Sequence, residues 1–318
     1  MPEMLATGAR TFYGVPAVAE LAGVRAQVAF LGVPFDGGTP QPGNRTGQKL
    51  GPAAARHASW EQFAYGDALE EGARGWYDIE SDRDRLGGVT MIDVGDVVIQ
   101  GADDRANFAR MREAASMVVG HGCVLVAFGG DHSISFPLVS GVTAHHRLQM
   151  VHVDAHADFW DELDGSRFSG ASQLRRIAEL PRVDGVTALG LRNVEHEEVH
   201  GMREFGVRFA TTLDLVDRPP RTVVDELVPE CDAIYLSIDL DVLDLGLVPG
   251  TTLPEPGGLS YRQLRATLAA VAGRGRVVAV DVAELNPPAD TSGATARLAT
   301  WLITHLLSEM FDQDNPHR

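Results

Sequence analysis

The 318-residue sequence predicts an α/β fold with a central, mostly parallel sheet. Three observations carry that prediction. Runs of Val, Leu and Ile recur with little polar interruption, as strands buried on both faces require. Segments with helical spacing lie between them, so strands and helices alternate. Polar and glycine-rich stretches follow several of the runs, which puts chemistry on loops at strand C-termini, along one edge of such a sheet.

Taken in order, VAFLGVP (28–34) is the first core strand. The glycines and prolines of 36–52 make a long loop before a helix starting near Pro52. That loop has neither GxGxxG nor GxxxxGK[ST] spacing, so a nucleotide site is not indicated. Residues 61–86 are mixed and charged and suggest a surface excursion, and VTMIDVGDV follows as a strand ending near Asp93 and Asp96. Residues 103–119 have helical periodicity, with Phe108, Met111, Ala114, Ala115 and Val118 as the inward stripe. CVLVAFGGDHS is strand plus loop, ISFPLVSGVTAH a helical region and LQMVHVDAHAD a strand again. GVTALGLRN and VRFAT are shorter strands, DAIYLSIDLDVLD and RVVAVDVAELNP strong ones, and residues 295–311 an amphipathic helix.

No repeat, flexible linker or low-complexity block divides the chain, so one domain over 1–318 is expected. A formal net charge of −17 leaves no basic stripe to follow a phosphate backbone, which argues against nucleic acid. The two cysteines, Cys123 and Cys231, do not form a disulfide framework. The start of the chain lacks a basic-then-apolar leader, and the apolar runs break before membrane-spanning length. A cytoplasmic location with no membrane association is the expectation.

Three of the strand-end loops carry unusual ionisable density. FGGDHS presents Asp131 and His132 beyond paired glycines. In VHVDAHAD, an extended backbone would point Asp154 and His156 the same way, with Asp158 joining after a turn. LSIDLDVLD would likewise put Asp239 and Asp241 on one strand face. Burying four carboxylates together without cations would be prohibitive, whereas two divalent ions reverse the problem. The candidate set is therefore His132, Asp154, His156, Asp158, Asp239 and Asp241. Its oxygen-rich character suits two Mn2+ ions, with Zn2+, Fe2+, Co2+ and Ni2+ left open. A water between two such ions would ionise near neutral pH, giving a hydrolytic nucleophile without serine or cysteine.

With these segments in hand, the sequence resembles the ureohydrolase family, the group containing arginase and agmatinase. FGGDHS, VDAHAD and SIDLDVLD match the family's hallmark segments in order, joined by FLGVPFDGG, IDVGD, VPGTTLPEPGGLS and DVAELNP. The resemblance implies a three-layer α/β/α arginase-like fold assembled as a homotrimer or homohexamer. It implies one manganese held by His132, Asp154, Asp158 and Asp239, and another by His156, Asp154, Asp239 and Asp241. Asp131 would support the ligands by hydrogen bonding. Glu284 of DVAELNP would grip a guanidinium group through charge-assisted hydrogen bonds. The implied reaction is hydrolysis of a guanidino C–N bond to urea and an amine, agmatinase-like in character. A formimino or unusual guanidino substrate, or a noncatalytic metal-binding protein, are the alternatives.

The sequence departs from the family in three loops. Where members commonly carry His-Gly after the DAHxD segment, Ser169 precedes Gly170, and serine cannot act as an acid or base near neutrality. His196, after GLRN, is the candidate replacement. PGTTLPEPGG brings in Thr252 and Leu253, and Gln41 stands where a basic residue is usual. Substrate choice is expected from residues 36–50, 159–176 and 192–200, which hold Arg167, Arg175 and Arg176 on one side and Glu195, Glu197 and Glu198 on the other.

Overall fold

In the computed structural model, which describes residues 5–6, 10–38, 46–62, 75–101 and 103–312, the apolar runs pair into one nine-stranded sheet. Its strands are β1 (Leu5–Ala6), β2 (Val28–Val33), β5 (Met91–Val97), β6 (Val124–Gly129), β7 (Leu148–Val153), β8 (Val183–Leu191), β9 (Arg208–Thr211), β10 (Cys231–Asp239) and β11 (Gly275–Ala283). β3 (Trp76–Asp78) and β4 (Arg83–Arg85) form a separate hairpin. The order across the sheet is β1-β5-β2-β6-β11-β10-β7-β8-β9. Within this sheet only the two-residue edge strand β1 is antiparallel to its neighbour, and the other described pairings are parallel.

The strands read as unbroken apolar runs because each face is covered. Val28, Phe30, Val126 and Phe128 point into one core layer and Ala29, Leu31, Leu125 and Ala127 into the other, following the two-residue period of a strand. The first layer packs under α1 (Gly51–Gln62), α7 (Pro220–Leu227), α8 (Tyr261–Ala272) and α9 (Ala294–Met310). The second packs under α2 (Asp104–Gly120), α3 (Ser135–Val142), α4 (Gln173–Ala178) and α5 (His196–Glu204). The short α6 (Thr212–Asp217) adds Leu215 to the first layer. This is the expected three-layer arrangement. The predicted stripe of α2 is buried except for partly covered Phe108, and Asp103 caps the helix by accepting from the Ala106 amide.

The described part of the expected surface excursion is largely exposed and contains the β3–β4 hairpin, which is tied down by Trp76 meeting Trp301 edge-on and by Arg85 bonding Glu309 and Asp312. The strand carrying IDVGD, β5, ends at Val97, one residue past Asp96, as expected. Buried Asp93 receives the Arg56 guanidinium at 2.9 Å, and Asp96 takes its other arm, so this motif fastens α1 to the sheet. Gln41 lies outside the described residues.

Candidate metal centre

β6, β11, β10 and β7 are consecutive in the sheet, so their C-terminal ends bring four loops to one place. The loop after β6 carries Asp131 and His132, that after β7 carries 154–158, that after β10 carries Asp241, and that after β11 carries Glu284. A parallel sheet makes this convergence unavoidable.

The loops reach the site by a different local route from the one the strand period suggests. β7 stops at Val153 and β10 at Asp239, so neither Asp154/His156 nor Asp239/Asp241 shares a strand face. Each leading aspartate instead turns its own chain. Asp154 Oδ1 accepts the His156 amide at 2.6 Å, and Asp239 Oδ1 accepts the Asp241 amide at 2.8 Å. Short side chains that bond the backbone two residues on compete with the sheet ladder in this way. Asp241 then lies in a 3₁₀ turn and Asp158 takes a left-handed backbone, φ 48°.

All six predicted side chains come together. His132 Nδ1 lies 3.0 Å from Asp154 Oδ2, 3.1 Å from Asp158 Oδ2 and 3.1 Å from Asp239 Oδ2. His156 Nδ1 lies 3.0 Å from Asp241 Oδ2 and 3.5 Å from Asp154 Oδ1. His132 Nδ1 and Asp154 Oδ2 are buried without a hydrogen-bond partner. One imidazole nitrogen facing three carboxylate oxygens at near-contact spacing cannot satisfy them all by hydrogen bonding, but it is the spacing of donors around a common cation. The group Asp154, His156 and Asp241 offers its ligand atoms within 4.8 Å of one another, as does His132, His152 and Asp154. These donors therefore fit divalent ions.

The electrostatics of the bare cluster agree. Burial, then the neighbouring Asp241 and Asp154 charges, hold the Asp239 carboxyl well above its usual range, and burial with Asp154 pushes Asp241 up to about 6. Burial opposes charging of His132, yet bonds to Asp154, Asp158 and Asp239 raise it well above the ordinary imidazole value. Protons here take the place that positive metal charge would fill.

The supporting shell is built from the same strands. His132 Nε2 faces Ser237 Oγ at 2.9 Å, and Ser237 donates to buried Asp281 at 2.6 Å, which fixes the imidazole with Nδ1 toward the acids. Asp131 accepts the Gly38 amide at 2.7 Å and the Ser133 amide at 3.0 Å, so it holds these loops together. His152, on β7, brings Nε2 to 3.1 Å from Asp154 Oδ2, a contact the sequence analysis did not assign although it shares the alternation of that segment.

Glu284 closes one wall. Its Oε1 accepts the His132 amide at 2.8 Å, and its Oε2 accepts from Thr252 and, at 3.2 Å, from Gln48. Thr252 and Gln48 were not foreseen as partners. Burial, then the Asp131 charge, pushes Glu284 up to about 7. The cavity of about 240 Å³ over the cluster is lined by His132, His156, Asp158, Asp239, Asp241 and Glu284, and farther out by Trp160, Leu163, Ser169, Val194, Glu195, Glu198, Thr252 and Leu253.

Ser169 is on that lining, but His196, exposed at the start of α5, is not, so the expected proton carrier is not among the residues brought to the cavity. The arginines considered for substrate contact are also engaged elsewhere. Arg175 lies over the Phe159 and Phe205 rings, while Arg167 and Arg176 pair with Asp161. Of the three glutamates, Glu195 and Glu198 line the cavity and Glu197 does not.

Comparison with known proteins agrees with this architecture. A model described as the arginase family matches residues 26–308. Arginase 1, mitochondrial, of Arabidopsis thaliana is 32% identical over 304 residues, 91% of this chain and 83% of its own. A guanidinobutyrase of Pseudomonas aeruginosa is 29% identical over 286 residues, 88% of this chain and 85% of its own. The solved structure of proclavaminate amidino hydrolase from Streptomyces clavuligerus superposes with a TM-score of 0.82 at 27% identity, covering 96% of this chain and 97% of that one. With the family match spanning strands β2 to β11, the acid-imidazole cluster and Glu284, the chain belongs to the arginase family of binuclear-metal hydrolases.

Proposed function

We propose that the protein is a manganese-dependent hydrolase that cleaves a guanidino C–N bond, releasing urea and an amine, with an agmatinase-like substrate. The observation that carries this is Glu284, a buried carboxylate on the cavity wall whose two oxygens are oriented by the His132 amide and by Thr252. A planar cation with several N–H donors is the complement of such an acid. In this proposal His132, Asp154, Asp158 and Asp239 hold one ion, and His156, Asp154, Asp239 and Asp241 the other. Bound divalent ions supply Lewis acidity toward the substrate and a hydrolytic water.

The chain's own residues do the rest. Glu284 orients the guanidinium, Thr252 and Gln48 hold Glu284, and Trp160, Leu163, Val194 and Leu253 give the outer cavity apolar walls. Among the described lining residues no Lys or Arg is present, while Glu195 is; Glu198 also lines the cavity but accepts the Phe159 and Glu195 amides with its two oxygens. That charge pattern supports a cationic tail, as in an aminoalkyl guanidine, over a carboxylate tail. Ser169 does not change protonation state near neutrality and so cannot serve as the acid, and proton delivery to the leaving amine is assigned to water. Assembly as a homotrimer or homohexamer belongs to the same proposal.

The test is to load the protein with Mn2+ and offer guanidines with amine, neutral and carboxylate tails together with amidines and formimino compounds, detecting urea, ammonia and formamide separately. Urea from the amine-tailed guanidines is the expected result. Formamide or ammonia alone would assign a different C–N hydrolysis, and no turnover of any compound by protein holding two ions would leave a metal-binding protein.

A further inference from the structure

We infer that Glu255 is the positioning residue for His156, fixing that imidazole so that its Nδ1 faces the metal centre; the inference rests on the dinuclear reading above. His156 Nδ1 points at Asp241 and Asp154, leaving Nε2 on the far side of the ring. Nε2 is buried and makes no hydrogen bond. An imidazole that offers Nδ1 to a cation must carry its proton on Nε2, and that proton needs an acceptor. The carboxylate facing it is Glu255, with Oε1 at 3.6 Å. That distance is just beyond a hydrogen bond, and a small side-chain movement closes it.

Glu255 is itself held for the task. Asn193 Nδ2 donates to the same Oε1 at 2.6 Å, which keeps the carboxylate turned toward the ring. Its backbone carbonyl accepts from Arg192 at 3.1 Å and from the Leu245 amide at 3.2 Å. Arg192 also donates to the carbonyls of Asp241 and Val242, so one guanidinium ties the Glu255 loop to the loop bearing a proposed metal ligand. Glu255 does not line the cavity, so its effect on chemistry is exerted through His156. The pairing differs from that of His132, whose second nitrogen meets a hydroxyl, Ser237. The two imidazoles are thus tuned differently, a carboxylate making its ring the more basic donor.

The experiment titrates Mn2+ alone into the metal-free full chain, following bound ions by equilibrium dialysis and elemental analysis. Wild type is expected to bind two. Glu255→Ala should weaken one of the two by about 10- to 100-fold and leave the other unchanged. Glu255→Gln, which keeps an acceptor oxygen, should fall between, and Asn193→Ala should lower the affinity of the same ion. The melting temperature of metal-free Glu255→Ala should match that of metal-free wild type, because backbone bonds hold the loop. Wild-type affinity for both ions in Glu255→Ala and Glu255→Gln would overturn the inference. Should Glu255→Ala fail to fold, unchanged binding in Glu255→Gln and Asn193→Ala overturns it alone. Wild type binding fewer than two ions would overturn the dinuclear reading instead, which separates the two failures.

Discussion

Glu284 sits in a left-handed backbone conformation, φ 63°, that costs a residue other than glycine about 1–3 kcal/mol. Its amide bonds the Gly130 carbonyl at 2.9 Å, so the strain is imposed by the loop that presents His132. Glu284→Gln keeps shape and hydrogen bonding but removes the charge, and kcat/KM for a guanidine should fall about 10- to 100-fold with metal content unchanged. An unaltered kcat/KM would remove Glu284 from guanidinium recognition. His196→Ala, by contrast, should leave both turnover and its pH profile as in wild type. The acid of DVAELNP drew attention only through resemblance to a family, since a lone Glu after a strand has no distinctive pattern. Its partners were not legible at all: Thr252 and Gln48 lie 32 and 236 residues away in sequence. A second residue-scale prediction concerns His305 on α9, packed against the Trp76, Trp301 and Tyr261 rings. Burial and then Arg265 and Arg85 push its imidazole down to about 4, against opposing pulls from Asp78 and Glu80. Between about 4 and the unfolded value of 6.5 the unfolded chain holds the extra proton, so this group makes stability rise with pH across that window. Urea melts of His305→Gln should show a shallower rise there than wild type; parallel curves would refute the assignment.

At the scale of elements, the strands were legible because burial on both faces writes an uninterrupted apolar run. The helices α4 to α7 were not located individually, since a 6- or 8-residue helix such as α4 or α7 spans barely two turns of period. The chemistry-bearing loops were legible in residue type and illegible in shape. Alternating Asp and His suggested extended backbone, yet each leading Asp bonds the amide two residues later and bends the chain out of the sheet. The paired glycines of FGGDHS did carry a legible meaning. A Cβ on Gly130 would lie 2.2 Å from the Phe35 carbonyl and 2.8 Å from that of Val33, both backbone atoms with no freedom to swing away. Gly130→Ala should therefore cost about 1–3 kcal/mol of stability by chemical denaturation and displace the neighbouring His132. The decisive measurement pairs that melt with Mn2+ binding. Wild-type stability and affinity would mean that the turn tolerates the methyl group and that close approach does not explain the glycine.

For the whole molecule, the order of strands matters more than any one of them. β6, β11, β10 and β7 are neighbours, so residues from 132 to 284 share one edge of the sheet and the site needs all four of these strands in register. No helix among the described residues is long and apolar enough to cross a membrane, and Cys123 and Cys231 are unbridged. The net charge of −17 and the buried acids are two different electrostatic burdens. Surface repulsion is relieved by any salt through screening, whereas a buried cluster is screened little and needs an ion bound to it. Because the site does not exist in the unfolded chain, binding is linked to folding: at 100 times the dissociation constant each ion adds about 2.7 kcal/mol of stability. Thermal melts in chelator, in Mn2+ and in NaCl of matched ionic strength separate the two burdens. Mn2+ should raise the midpoint well beyond NaCl, and Asp239→Asn, which removes a proposed bridging ligand, should lose most of that excess while keeping the response to NaCl. If NaCl reproduces the Mn2+ shift, or if Asp239→Asn retains it, the stabilisation comes from the surface and the acids at the strand ends are not sharing bound cations.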